Sequence, residues 1–107
     1  MPEFDRQWKS MDLDDNDLRR LQEELLLNPE KGDVMQGTGG LRKLRFAFEG
    51  KGKSGSVRVC YVDFVVYESI YLITAYPKSE KDNLSKAERN NIAKMINALE
   101  ATLSEKE

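Results

Sequence analysis

The chain has 107 residues and no histidine, with one cysteine, one tryptophan and three prolines among them. Without histidine it lacks the side chain that most often serves as a general base near neutral pH and most often ligates transition metals, so any catalysis must run on Lys, Arg, Tyr, Asp or Glu. No metal site and no cofactor are expected. A lone Cys60 excludes an internal disulfide. No stretch approaches the roughly 20 apolar residues of a membrane-spanning helix. No signal-peptide pattern is present either, and the expectation is a cytoplasmic protein without membrane association.

What is there is a balance of 39% hydrophobic and 34% charged residues, with the apolar ones in periodic blocks. That pattern suits a folded chain, and the length suits one domain spanning residues 1–107. The formal net charge of −2 hides an asymmetry. Residues 1–30 carry four Lys/Arg against nine Asp/Glu, residues 31–60 seven against two, and residues 61–107 six against eight. If the cations of the middle third share a face, a polyanion becomes a plausible ligand despite the acidic total.

Periodicity orders the elements. Phe4, Trp8 and Met11 recur at i, i+4 and i+7 after Pro2 and predict a short amphipathic helix over residues 2–11. The acidic run from Asp12 to Asp17 supplies N-cap candidates for a second helix. Its expected buried stripe is Leu18, Leu21, Leu25 and Leu26, and Asn28-Pro29 ends it. Lys31 to Gly40 reads as a turn-rich link, after which the period becomes two. In Leu41 to Phe48, Leu44, Phe46 and Phe48 fall on one side and Lys43 and Arg45 on the other. Glu49 to Ser56 reads as a glycine-lysine loop. Ser56 to Val66 is the next strand, with Val57, Val59 and Tyr61 opposite Arg58, Cys60 and Val62. Ile70 to Tyr76 is a third strand, ended by Pro77. Ser85 and Glu88 fit a capping box ahead of a helix whose stripe is Ile92, Met95, Ile96, Leu99 and Leu103. The expected architecture is α+β: a small antiparallel sheet, one face covered by an N-terminal helical hairpin and a C-terminal helix.

The strongest constellation is Lys43, Arg45 and Arg58 on neighbouring strands away from the core, with Lys51 and Lys53 on the connecting loop. Charged side chains face water by default, but five cations gathered this way fit a phosphate-binding surface. Tyr61 sits at core parity, where packing is the ordinary role of a tyrosine. Tyr76, beside Lys78 at the end of a strand, is placed to stack on a base or assist proton transfer. Gly52-Lys53-Ser54 is not a nucleotide loop, because the motif's first glycine would fall at Ala47 and a strand rather than a helix follows. Gly37, Gly39 and Gly40 read as turn glycines, and Cys60 as an inert strand residue.

Several of these residues resemble one family. Leu26-Leu27-Asn28-Pro29, Gly32-Asp33-Val34, the block Gln36 to Lys43, the glycine-lysine segment Gly50 to Gly55, and Tyr76-Pro77-Lys78 are similar to bacterial type II toxins of the RelE/ParE superfamily, HigB-like branch. The resemblance implies a ribosome-dependent mRNA endonuclease restrained by a cognate antitoxin, often a HigA-like one with a helix-turn-helix domain. It implies catalytic roles for Lys43, Arg45, Arg58 and Lys78, with Tyr76, Lys51 and Lys53 as candidates to supply proton transfer, and RNA contacts from Arg42, Lys51 and Lys53. Two positions depart from RelE itself: Ser79 stands where a further arginine is expected, and the C-terminal tyrosine is replaced near Leu84. Relatives commonly carry a strand before the first helix, whereas this chain begins inside what reads as that helix; if no other strand fills the slot, a sheet edge is left for an antitoxin segment to pair with. The superfamily also holds ParE-like proteins that act on DNA gyrase through protein contacts, and simple nucleic-acid binding without turnover is a third possibility.

Overall fold

In the computed structural model, which describes residues 2–50, 53–77 and 83–105, the order is α1 (Pro2–Ser10), α2 (Asp15–Leu27), β1 (Asp33–Val34), β2 (Leu41–Gly50), β3 (Lys53–Phe64), β4 (Ser69–Pro77) and α3 (Lys86–Glu105). The α1–α2 hairpin closes because Asp12 accepts a left-handed conformation (φ 60°) and Asp14 caps the second helix. The Asp14 carboxylate accepts from Asp17 N at 2.9 Å while Asp17 accepts from Asp14 N at 3.0 Å, a reciprocal pair that satisfies two otherwise orphaned amides. Trp8 ties the helices together by donating its indole N–H to Asp14 O at 3.1 Å.

Leu21 and Leu25 are buried as expected, but Leu26 is 74% exposed. One residue along a helix turns the side chain by about 100°, so Leu26 cannot share the seam that Leu18, Leu21 and Leu25 define.

The sheet has four strands in the order β1-β2-β3-β4, every neighbouring pair antiparallel. β1 lies inside the segment expected to be a link. It is two exposed residues long, too short to show any alternation. Thr38 organises the turn that follows: its hydroxyl bonds to Met35 O and accepts from Leu41 N at 3.1 Å, while Gly37 and Gly39 take positive φ on either side. The β2–β3 ladder runs out to Gly50 opposite Lys53, so most of the expected loop is paired strand. β3 ends at Phe64, short of Val66, because a 3-10 turn over Val65–Tyr67 and a left-handed Glu68 reverse the chain.

Alternation along the strands builds two cores. Leu44, Phe46, Val57, Val59, Tyr61 and Ala75 face Phe4, Trp8, Leu21 and Leu25 of the helical hairpin. Leu41, Cys60, Val62, Phe64, Ile73 and Tyr76 face the other way, where Ile92, Met95, Ile96, Leu99 and Leu103 of α3 cover them. The expectation that all three helices share one face is therefore corrected. The second face is as apolar as the first towards the β3–β4 turn, and apolar surface of that extent needs cover. At Ala75, on the outer strand β4, the edge amide is capped by Gln7 of α1, whose Oε1 accepts from Ala75 N at 3.0 Å and from the Thr74 hydroxyl at 2.9 Å.

Candidate functional site

The cations of β2 and β3 converge. Register sets Arg45 directly opposite Arg58 and Lys43 opposite Cys60, so Lys43, Arg45 and Arg58 project from one face. It is the face of α3, and they occupy the end of it nearest the β2–β3 hairpin. Arg45 is exposed, while Lys43 and Arg58 are half-buried. Two arginines facing each other across a strand pair repel.

The row continues onto the third strand, for Tyr76 of β4 is the cross-strand partner of Arg58. Tyr76 is 4% exposed, packed in the core under α3. Burial holds its hydroxyl above the usual tyrosine range, with Cys60 and Glu88 pushing the same way and Arg58 pulling against them. Through neutral pH this hydroxyl is therefore a proton donor and not a base.

Lys43 reaches the segment before α3 and donates its ammonium to the side-chain carbonyl of Asn83. This contact belongs to a groove of about 350 Å³ shared by β1, the residues after it and the start of α3, with Gln36 and Arg89 in its walls. Nothing in the sequence announced Asn83, Arg89 or Glu88 as neighbours of the patch. Asn83 lies 40 positions from Lys43, and Glu88 is legible only as a capping partner of Ser85.

Arg42 is not brought to the patch. It shares the parity of Leu44 and points to the hairpin side, where Nη1 donates to Gly32 O at 2.7 Å and Glu30 O at 3.2 Å. Tyr61 sits beside it, wholly buried, its hydroxyl accepting from Gly32 N at 2.9 Å and donating to Pro29 O at 2.7 Å. A Cβ on Gly32 would lie 2.9 Å from the Tyr61 ring and 3.0 Å from Lys43 O, which explains a glycine there. Tyr61, Gly32 and Arg42 thus form a lock on the chain entering β1. Burial raises the Tyr61 hydroxyl above its ordinary range, opposed by its bond to Gly32 and by Arg42. Leu84, near the expected place of a missing tyrosine, is buried in the α3 core.

Lys51, Lys78 and Ser79 lie outside the described residues, as does the side chain of Lys53, whose backbone opens β3. Among the described residues no group of three or more His, Cys, Asp or Glu side chains is arranged to hold a metal ion, and no helix is long and apolar enough to cross a membrane. One comparison bears on the whole chain: the family model described as RelE toxin of RelE / RelB toxin-antitoxin system matches residues 2–107.

Proposed function

The chain belongs to the RelE toxin family, a membership that implies an antitoxin partner, and on that premise we propose that it is a HigB-like mRNA endonuclease that works on the ribosome in the cytoplasm without a metal. The observation that carries this reading is the Arg45–Arg58 pair standing across two strands with Lys43 on the same face. Three cations at one place match the charge that builds up on a phosphodiester under attack.

In the proposed reaction the RNA 2′-OH attacks its adjacent phosphorus. A P–O2′ bond forms, the P–O5′ bond breaks, and the products are a 2′,3′-cyclic phosphate and a 5′-hydroxyl. Arg45, Arg58 and Lys43 hold the extra negative charge of the transition state. Lysines of the set Lys51, Lys53 and Lys78 take the proton of the 2′-OH and return one to the 5′ oxygen, while Tyr76, whose hydroxyl is buried, serves by positioning its cross-strand neighbour Arg58. Each proton transfer is worth about 10²- to 10⁴-fold in rate. Lys51 and Lys53 also extend the phosphate contacts along the hairpin. Arg42 acts in RNA binding through the β1 segment that it braces, one wall of the Lys43 groove. The antitoxin on this reading is HigA-like, with a helix-turn-helix domain.

Primer extension on cellular mRNA after brief induction tests the proposal, since cuts confined to translated regions are expected. Arg58→Ala should abolish the cuts while the protein still melts cooperatively. RNA methylated at the 2′ position should resist cleavage on translating ribosomes. Equal cutting of methylated RNA would sink the mechanism, and DNA damage without mRNA cuts would point to a gyrase-directed toxin instead.

A further inference from the structure

One groove has no part in that chemistry. It is a groove of about 740 Å³ between the C-terminal end of α2 and the turn joining β3 to β4, with Leu25, Leu26, Val65, Ile70 and Leu72 among its walls. Leu26 and Val65 are 74% and 70% exposed, and the residues next to them, Leu27 and Val66, are 88% and 80% exposed. Leu26 and Val65 stand in water on the two walls of one groove, each with a second exposed aliphatic residue next to it in the chain, which exceeds the scattered apolar residues that any surface carries.

The rim is acidic. Glu30, Asp63 and Glu68 line it, and no Lys or Arg does so among the described residues. This charge is opposite to that of the Lys43–Arg45–Arg58 patch and repels phosphate, so neither RNA nor an anionic lipid surface matches it. A second copy of the chain fits poorly as well, because a two-fold contact through this groove would set carboxylates against carboxylates. The α2 wall bonds its own backbone internally and offers only side chains, which suits a partner whose backbone is likewise satisfied.

We propose that this groove docks a basic amphipathic helix of a partner protein, its apolar stripe laid between Leu26 and Val65 and its flanking Lys or Arg residues set against Glu30, Asp63 and Glu68. The mode is helix-in-groove recognition, with the aliphatic contacts giving affinity and the carboxylates giving orientation and partner choice. Docking there leaves the cationic face uncovered, so a bound partner and a bound polyanion are compatible.

The probe is a synthetic helical peptide of about five turns with leucines at i, i+3, i+4 and i+7 and lysines on both flanks of that stripe. It is titrated into the full chain and followed by amide NMR shifts. A companion peptide carries glutamates in place of the lysines. Saturable binding of the lysine peptide is expected, with shifts at residues 25–30 and 63–72. The exposed double variant Glu30→Lys/Glu68→Lys should weaken it by about fivefold and reverse the preference towards the glutamate peptide, without altering mRNA cleavage. Absence of binding, equal binding to the double variant, or shifts confined to the Arg45–Arg58 face would each overturn the proposal. So would shifts at the groove that appear with protein concentration alone, which would mark it as a self-association surface.

Discussion

The two faces of the sheet are made by the same strands and differ in what they contain. On the face of the helical hairpin, β2 and β3 contribute Leu44, Phe46, Val57, Val59 and Tyr61, and the polar groups that do enter are locked to named partners. On the opposite face the same strands contribute Leu41, Cys60 and Val62 under α3, then Lys43, Arg45 and Arg58 beyond it. One face is finished by folding. The other carries Lys43, Arg45 and Arg58 beside its apolar part, Arg45 exposed and the other two half-buried. A tyrosine marks each side: Tyr61 bonds two backbone groups and holds the chain, whereas Tyr76 stands in register with Arg58 and is held protonated.

Substitutions separate the two faces most sharply at the arginines. Arg45→Ala should lower the cleavage rate on translating ribosomes by about 10²- to 10³-fold, the usual size of losing one group that stabilises transition-state charge. Its stability should move the other way, with the denaturation midpoint unchanged or slightly raised, because the variant removes a like-charged cross-strand pair worth a few tenths of a kcal/mol. A variant that loses activity and stability together would show that Arg45 belongs to the scaffold.

Tyr61→Phe is the converse case. It deletes the acceptor of Gly32 N and the donor to Pro29 O and leaves a buried amide unmet, at a cost of about 1–3 kcal/mol in urea denaturation. Cleavage measured well below the midpoint should be close to wild type. Smaller again is Gln7→Ala, which uncaps one edge amide of β4 at Ala75. A loss of about 1 kcal/mol is expected, read from the same denaturation curves.

How much of this was legible follows the range of each interaction. The caps at Asp14 and Ser85, the alternation of β2 and β3, and the α3 stripe are local patterns, and the sequence carries them openly. The split of Lys43 and Arg45 from Arg42 is legible too, since Arg42 has the parity of Leu44. Family resemblance alone gave Arg42 an RNA contact, and its guanidinium is turned to the carbonyls of Glu30 and Gly32. What stayed hidden is non-local. β1 has two residues and no period, the choice of face for α3 depends on how much apolar surface β3 and β4 leave bare, and Asn83 meets Lys43 only in the folded chain.

Alkaline pH acts on the two cores through their tyrosines. Both hydroxyls are raised above the ordinary tyrosine value by burial. In the unfolded chain a tyrosine loses its proton near pH 10, whereas in the folded protein Tyr61 and Tyr76 keep theirs to higher pH. Between those values the native state binds more protons than the unfolded one, so unfolding free energy falls as pH rises. The contribution is fully present below about pH 10 and is lost as pH climbs through the raised folded values. Tyr76→Phe and Tyr61→Phe should each flatten part of that alkaline fall, and neither should change the slope near neutrality. If Tyr76→Phe leaves the alkaline limb as steep as before, then the Tyr76 hydroxyl titrates as it does in water, and the buried setting that places it beside Arg58 under α3 is wrong.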